Sequence, residues 1–330
     1  MLFILKKNLI PFLLTSVIIY GIGVLIYKIP PYELIVYSKN ILRDMLFQDL
    51  KNSSWQNAKK YIKIASTIDD LPNIRSVDEG YSFYIAGHTY GKPGVKSNGL
   101  YDPFTEKFHM INEYQSIKFG FLLGDVVREA SNDAWRLVKK DLDSLDSRIK
   151  NIIVPGNHDV GTGANNTKRD IFLQQFGKTF FSFKQGKDLF IVLDGNISEW
   201  NISGEQLQFL KQSLPNKKDS TGNIFIFSHQ LIWQNSSKSE FKKIKPNSLE
   251  GRSNNLNFWN EVFPLFSDLT NDIYFFAGDI GAFPNGNELF YTKYSNVKFL
   301  ATGMGGGMRD NFLIVSVING DVEIFFVPIN

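Results

Sequence analysis

The chain contains no cysteine, which excludes disulfides, thiolate metal sites and cysteine nucleophiles and fits either side of a membrane. Histidine is scarce too. His88, His109, His158 and His229 are the whole supply, so any imidazole chemistry comes from these four. Charge of one sign is lacking: the net value is +3, and no basic block is interleaved with aromatics. A nucleic-acid partner is therefore not expected. Alanine does not occur before Ala58, so the N-terminal region has no small-residue A-x-A cleavage site. No internal repeat and no low-complexity tract interrupts the chain.

What the N-terminus does have is a long apolar run. Lys6 and Lys7 are followed by residues 8–27 without a charge, and Lys28-Ile29-Pro30-Pro31 ends the stretch. About 20 apolar residues suffice for a helix to cross the hydrocarbon core. Pro11, Gly21 and Gly23 are tolerable there. Residues 1–27 are expected to be a short tail and an uncleaved, single-pass membrane helix. A cleaved signal peptide and a buried core helix are the alternatives. Lys28, Lys39 and Arg43 balance the lysines before the span, so flanking charge does not fix orientation. The signal-like build places the main domain outside the cytoplasm. Residues 28–75 read as a juxtamembrane stalk with a turn-rich hinge at Asp69, Asp70, Pro72 and Asn73. Residues 76–330 read as the folded domain.

That domain is rich in core material, with 29 Phe and 13 Tyr in the chain. Short apolar runs at 81–86, 117–123, 151–154, 223–227 and 272–276 suit buried strands. Helical patterns lie between them. Trp135, Val138, Leu142 and Leu145 share a face, and Ser203-Gly204-Glu205-Gln206 opens a second helix. The alternation predicts an α/β fold. The last stretch differs: runs at 288–293, 297–302, 312–318 and 322–328 read as consecutive strands that complete a sheet with hairpins. In α/β sheets ligands bind beyond the carboxyl ends of the strands. His88, Asp125, Asn157, His158, His229 and Asp279 all follow such ends, which points to one shared polar site.

Ala86-Gly87-His88, Gly124-Asp125, Gly156-Asn157-His158-Asp159, His229 and Gly278-Asp279-Ile280-Gly281 occur in that order. This order resembles the calcineurin-like metallophosphoesterase superfamily, whose pattern runs Asp-x-His, Gly-Asp, Gly-Asn-His-Asp/Glu, a lone His, and Gly-His-x-His. The resemblance implies a two-sheet αββα sandwich with metals at the strand ends. It implies Asp125 as the bridging carboxylate, and Asn157, His229 and Asp279 as ligands of the second metal. His88 would serve the first metal together with Asp125. His158 would not bind metal but would protonate the leaving group or steady the transition state, and Asp159 beside it would orient its surroundings.

Three positions depart from the pattern, Asp279 in place of His among them. Ala86 stands where the family has Asp, and Gly281 where it has His. Two protein ligands rarely hold an ion tightly, whereas four can. One divalent ion is therefore expected rather than two. Asp in place of His at 279 favours a hard ion such as Mn²⁺, with Fe or Zn also compatible. Arg128 occupies a position where many relatives have an acid, so the sequence offers no side-chain partner for His158. The implied function is a membrane-anchored, metal-dependent hydrolase of a phosphate ester. The alternative is a non-catalytic scaffold or binding module on the same fold. Asp279 is either a ligand or a turn residue, and Gly303 to Gly307 is either a phosphate cradle or a plain loop. His109 lies outside the pattern, and Asp194 is expected to support the fold.

Overall fold

Runs of Phe, Ile, Val and Tyr that are apolar on both faces form stable strands only when both faces are covered. In the computed structural model, two sheets stacked face to face meet that condition. It describes residues 58, 60–76, 78–94, 99–216, 220–234, 236–238, 240–282, 288–307 and 309–329. One sheet contains β1 (Ile62–Ile64), β2 (Gly80–Ala86), β3 (Ile117–Leu123), β4 (Lys150–Val154), β11 (Asn311–Ile318) and β12 (Asp321–Pro328), in the order β1-β12-β11-β2-β3-β4. The other contains β5 (Phe181–Gln185), β6 (Asp188–Val192), β7 (Ile224–Ser228), β8 (Ile273–Ala277), β9 (Leu289–Tyr294) and β10 (Val297–Thr302), in the order β5-β6-β7-β8-β10-β9.

The layer between the sheets is built mostly of phenylalanine. Phe83, Phe119 and Phe121 from β2 and β3 meet Phe190, Phe225 and Phe227 from β6 and β7. Ring centroids lie 5.2 Å apart for Phe83–Phe225 and for Phe119–Phe190. Each buried ring of this kind contributes roughly 1.5–3 kcal/mol relative to exposure. Tyr81 Oη also donates to Asp188 Oδ2 at 2.7 Å, which ties β2 to β6 across the layer. The outer faces carry their own cores. Tyr84, Leu122, Ile153 and Ile314 pack with Phe104, Phe108, Trp135 and Phe172, residues of the flanking helices. Ile191, Ile226 and Phe275 pack with Trp233, Phe258 and Phe266. The result is the expected αββα layering.

Two details differ from the sequence reading. The four closing strands do not complete one sheet. β9 and β10 form an antiparallel hairpin in one sheet, and β11 and β12 form another in the opposite sheet. The loop from Gly303 to Asp310 carries the chain between them. Also, part of the stretch expected as stalk, 28–75, belongs to the sheet. β1 pairs in parallel with β12, and Ile62, Ala65 and Leu71 are buried. The period is hard to read there because only three residues form the strand. The expected membrane span, residues 1–27, lies outside the described residues. Among the described residues no helix is long and apolar enough to cross a membrane.

β2, β3 and β4 run parallel, and so do β6, β7, β8 and β10. The parallel strands thus bring the carboxyl ends of β2, β3, β4, β7 and β8 to one rim of the sandwich. That rim holds the residues picked out by the motif order.

Candidate metal centre

The chain leaves β2 and β3 through left-handed turns. His88 has φ 54° and Asp125 φ 49°, a region that His and Asp adopt more readily than most side chains. Two such turns at one site are the kind of backbone strain that collects at functional centres. Asp125 is the hub. Its Oδ1 accepts the His158 N–H at 3.0 Å, and its Oδ2 lies 3.3 Å from His229 Nε2. The same oxygen is 3.9 Å from His88 Nε2 and 4.0 Å from His158 Nε2.

Asp125, His229 and Asp279 bring one ligand atom each into a group that spans no more than 4.8 Å. All three are buried. His229 Nδ1 pairs with the Leu123 carbonyl at 2.7 Å, so Nε2 faces the other two residues. That nitrogen approaches Asp125 as an ion pair but without hydrogen-bond alignment. It and both Asp279 carboxylate oxygens are buried without a hydrogen-bond partner. Orphaned buried polar atoms are costly. Here three of them converge, which is what a cation site requires. Asn157 opens the short helix Asn157–Val160 next to Asp125, half-buried on the same rim. The residues present therefore fit one divalent ion.

The first-metal side does not fit. Ala86 is buried and has no donor atom. Gly281 has φ +91°, and a Cβ there would lie 2.7 Å from the Gly303 carbonyl group. No histidine enters that position unless the β10 loop moves. His88 remains, buried, with Nδ1 on the Met304 carbonyl at 2.8 Å. Among the described residues it comes within 4.0 Å of the Asp125 carboxylate and of no other.

Electrostatics follow from this crowding. Burial works to raise the Asp125 carboxyl, but His229, His158 and His88 outweigh it and hold the group well below the usual range. Burial works to lower His229, yet Asp125 and Asp279 drive it up to about 10. His88 is pushed down to about 4 by burial and is neutral. Asp279 is raised well above the ordinary range by burial, only partly countered by His229 and the nearby N–H groups of Asn247 and Ser248.

The two expected catalytic residues separate in role. His158 is half-exposed. Its Nδ1 pairs with the backbone carbonyl of Arg128, and Nε2 turns toward Asp125. The partner missing from the sequence is thus a main-chain oxygen, which no side-chain pattern reveals. Asp159 is fully buried. Its Oδ1 accepts the N–H groups of Val126 and Val127, each at 3.0 Å, and its Oδ2 accepts Gly156 N–H at 2.9 Å. It is a positioning residue that locks the Asp125 and Asn157 loops together. Burial, with Asp125 adding, pushes its carboxyl up to about 7 against the pull of those N–H groups.

Several other residues are resolved by their surroundings. The N–H groups of Gly305, Gly306 and Gly307 are taken by the Asp310 carboxylate at 3.1, 2.8 and 3.1 Å, so this loop is not a phosphate cradle. Asp194 is buried in an ion pair with Arg169 and accepts from Asn196. Asn196 in turn donates to the Pro155 carbonyl at 3.1 Å, just ahead of the Asn157 loop. His109 is exposed on a helix and bonded to the Glu106 carbonyl. A cavity of about 510 Å³ opens beside His158, lined by Val127, Arg128, Glu129, Ala134, Val138 and Lys168 among others. Sequence reading gave no sign of it, because its walls come from three separate helices and two loops.

Among the chain's sequence relatives are proteins named as phosphatases. The chain is 33% identical over 87 residues to the serine/threonine-protein phosphatase CPPED1 of Pongo abelii, covering 25% of this chain and 28% of that protein. It is 31% identical over 112 residues to CPPED1 of Mus musculus, covering 32% and 35%. The match thus spans about a third or less of the relatives' length. A purple acid phosphatase from yellow lupin (Lupinus luteus) superposes with a TM-score of 0.50 at 14% identity, covering 76% of this chain and 54% of that one. That likeness is one of fold. No family profile matches the chain.

Proposed function

We propose that this chain, a member of the calcineurin-like metallophosphoesterase superfamily by motif order, sequence relatives and fold, hydrolyses a phosphate ester with the help of one divalent metal. The observation that carries this reading is the buried convergence of Asp125, His229 and Asp279, with His229 Nε2 and both Asp279 carboxylate oxygens lacking a hydrogen-bond partner. Asp125, Asn157, His229 and Asp279 would hold the ion. The carboxylate-rich set favours Mn²⁺, with Fe or Zn compatible. When bound, such an ion supplies Lewis acidity toward a phosphoryl oxygen and makes water nucleophilic at neutral pH.

The chain's own residues do the rest. The Leu123 carbonyl fixes the His229 ring so that Nε2 serves the site. The Arg128 carbonyl holds the His158 ring, and its Nε2 would pass a proton to the leaving oxygen. The cavity beside His158 has room for the leaving group. Asp159 keeps the two loops in register. The uncharged run at 8–27 supports a single-pass anchor, with this domain outside the cytoplasm. A phosphate ester close to a membrane is the substrate class that follows.

The packed Gly281 favours a second reading, a non-catalytic binding module. Turnover separates the two. Full-length protein supplied with Mn²⁺ is assayed on phosphomonoesters and phosphodiesters beside Asp125→Asn and His158→Ala. Loss of turnover in both variants with intact melting supports the enzyme. Metal-loaded protein that turns over nothing supports the module.

A further inference from the structure

The first-metal side has lost Ala86 and Gly281 as ligand positions, and an aromatic residue lies close by. Tyr90 follows His88 in the turn after β2. Its N–H donates to the Asp125 carbonyl at 3.1 Å, which ties it to the hub residue. Its ring meets His88 with centroids 4.3 Å apart and His158 with centroids 5.1 Å apart. These are two of the imidazoles that face Asp125 Oδ2. Tyr90 thus lies against both the residual first-metal ligand and the expected proton donor.

Its hydroxyl is not tied up inside the protein as those of several other tyrosines are. Tyr81, Tyr84 and Tyr114 spend theirs on Asp188, Asn151 and the Pro72 carbonyl. The Tyr90 hydroxyl makes no hydrogen bond to a described residue. Nor is it one of the buried polar atoms left without a partner, so it opens to solvent beside the centre. The ring contacts with His88 and His158 place this phenol beside the centre. A protonated phenol is a donor.

We propose that Tyr90 is a substrate-binding residue whose hydroxyl donates to a non-bridging phosphoryl oxygen, on the side where this chain has given up the ligands of a first metal. This rests on the phosphoester reading above. A neutral donor does part of what a cation would do there: it binds an anionic oxygen as charge develops, and it needs none of the carboxylate and imidazole ligands that Ala86 and Gly281 have replaced. Packing between His88 and His158 aims it at the same substrate that His158 serves.

The test is Tyr90→Phe in the full-length, Mn²⁺-loaded protein, since Phe keeps the ring contacts and removes only the donor. Bound metal and melting temperature are measured first and are expected to match the parent. Inorganic phosphate binding is then measured by calorimetry. A lost hydrogen bond to a charged oxygen weakens binding roughly 10- to 100-fold. Unchanged phosphate affinity in Tyr90→Phe, with the parent binding phosphate, overturns the assignment of Tyr90 alone. A metal-loaded parent that binds no phosphate overturns the phosphoester reading and this inference with it. Lowered metal content or melting in Tyr90→Phe makes the residue structural and also overturns it.

Discussion

Asp159→Asn tests how the site is held together. The Asp159 carboxylate accepts three main-chain N–H groups from two loops, at 2.9–3.0 Å, in a fully buried setting. In Asp159→Asn the amide oxygen can keep the Val126 and Val127 donors, but the NH₂ group then faces the Gly156 N–H. One buried donor is left unmet and opposed by another donor, at a cost of about 1–3 kcal/mol. At roughly 2–4 °C per kcal/mol for a domain of this size class, the melting temperature should fall by about 4–8 °C for a mid-range cost. Asp159→Ala leaves all three donors unmet and should fall further. Melting is followed by circular dichroism in EDTA, so that metal binding does not enter. The loops it joins carry Asp125 and Asn157, so Mn²⁺ affinity should also drop about 10- to 100-fold, as for other residues that orient ligands. Melting of Asp159→Asn equal to that of the parent, or equal loss in both variants, would refute the reasoning.

Other perturbations follow from the same geometry. Gly281→His restores the family letter without the family site. With φ +91° and a Cβ 2.7 Å from Gly303, it should lower the melting temperature and add no second ion, as melting and metal content will tell. Arg169→Met removes the partner of a buried Asp194, and breaking such a pair costs about 3–5 kcal/mol, visible as a large drop in melting temperature. Ion uptake should release protons, because His229 is raised to about 10 and Asp279 well above its ordinary range, whereas both ligate deprotonated. Metal affinity should therefore rise with pH across neutrality. Calorimetry at pH 7 in buffers of different ionisation enthalpy should show net proton release on ion uptake, and heats independent of buffer would contradict it.

Most of the fold was legible because parallel strands buried on both faces read as unbroken apolar runs, and five of them end in polar clusters. The candidate site was legible for the same reason: sheet topology turns residues that follow strand ends into neighbours. Asp125, His229 and Asp279 are far apart in sequence yet converge within 4.8 Å. What escaped had no local signature. β1 is three residues long, and its pairing with β12 depends on the far end of the chain. The closing strands divide into two hairpins in different sheets, a split that the strands' own pattern does not carry. The His158 partner is a backbone carbonyl, indifferent to the arginine that carries it. The fate of the glycine-rich loop hangs on Asp310, a few residues downstream, which supplies the anion that the loop's N–H groups were free to bind. Asp159 follows His158 in the motif and so reads as part of the chemistry. Only its burial and three backbone donors show that it works on the loops.

Metal content tests the central claim most directly. Full-length protein is dialysed against Mn²⁺, freed of loose ions and measured by elemental analysis beside Asp125→Ala and His229→Ala. A centre built from Asp125, Asn157, His229 and Asp279 should retain about one ion per chain and lose it in both variants. No retained ion in the parent, or about two that survive either substitution, would contradict the account.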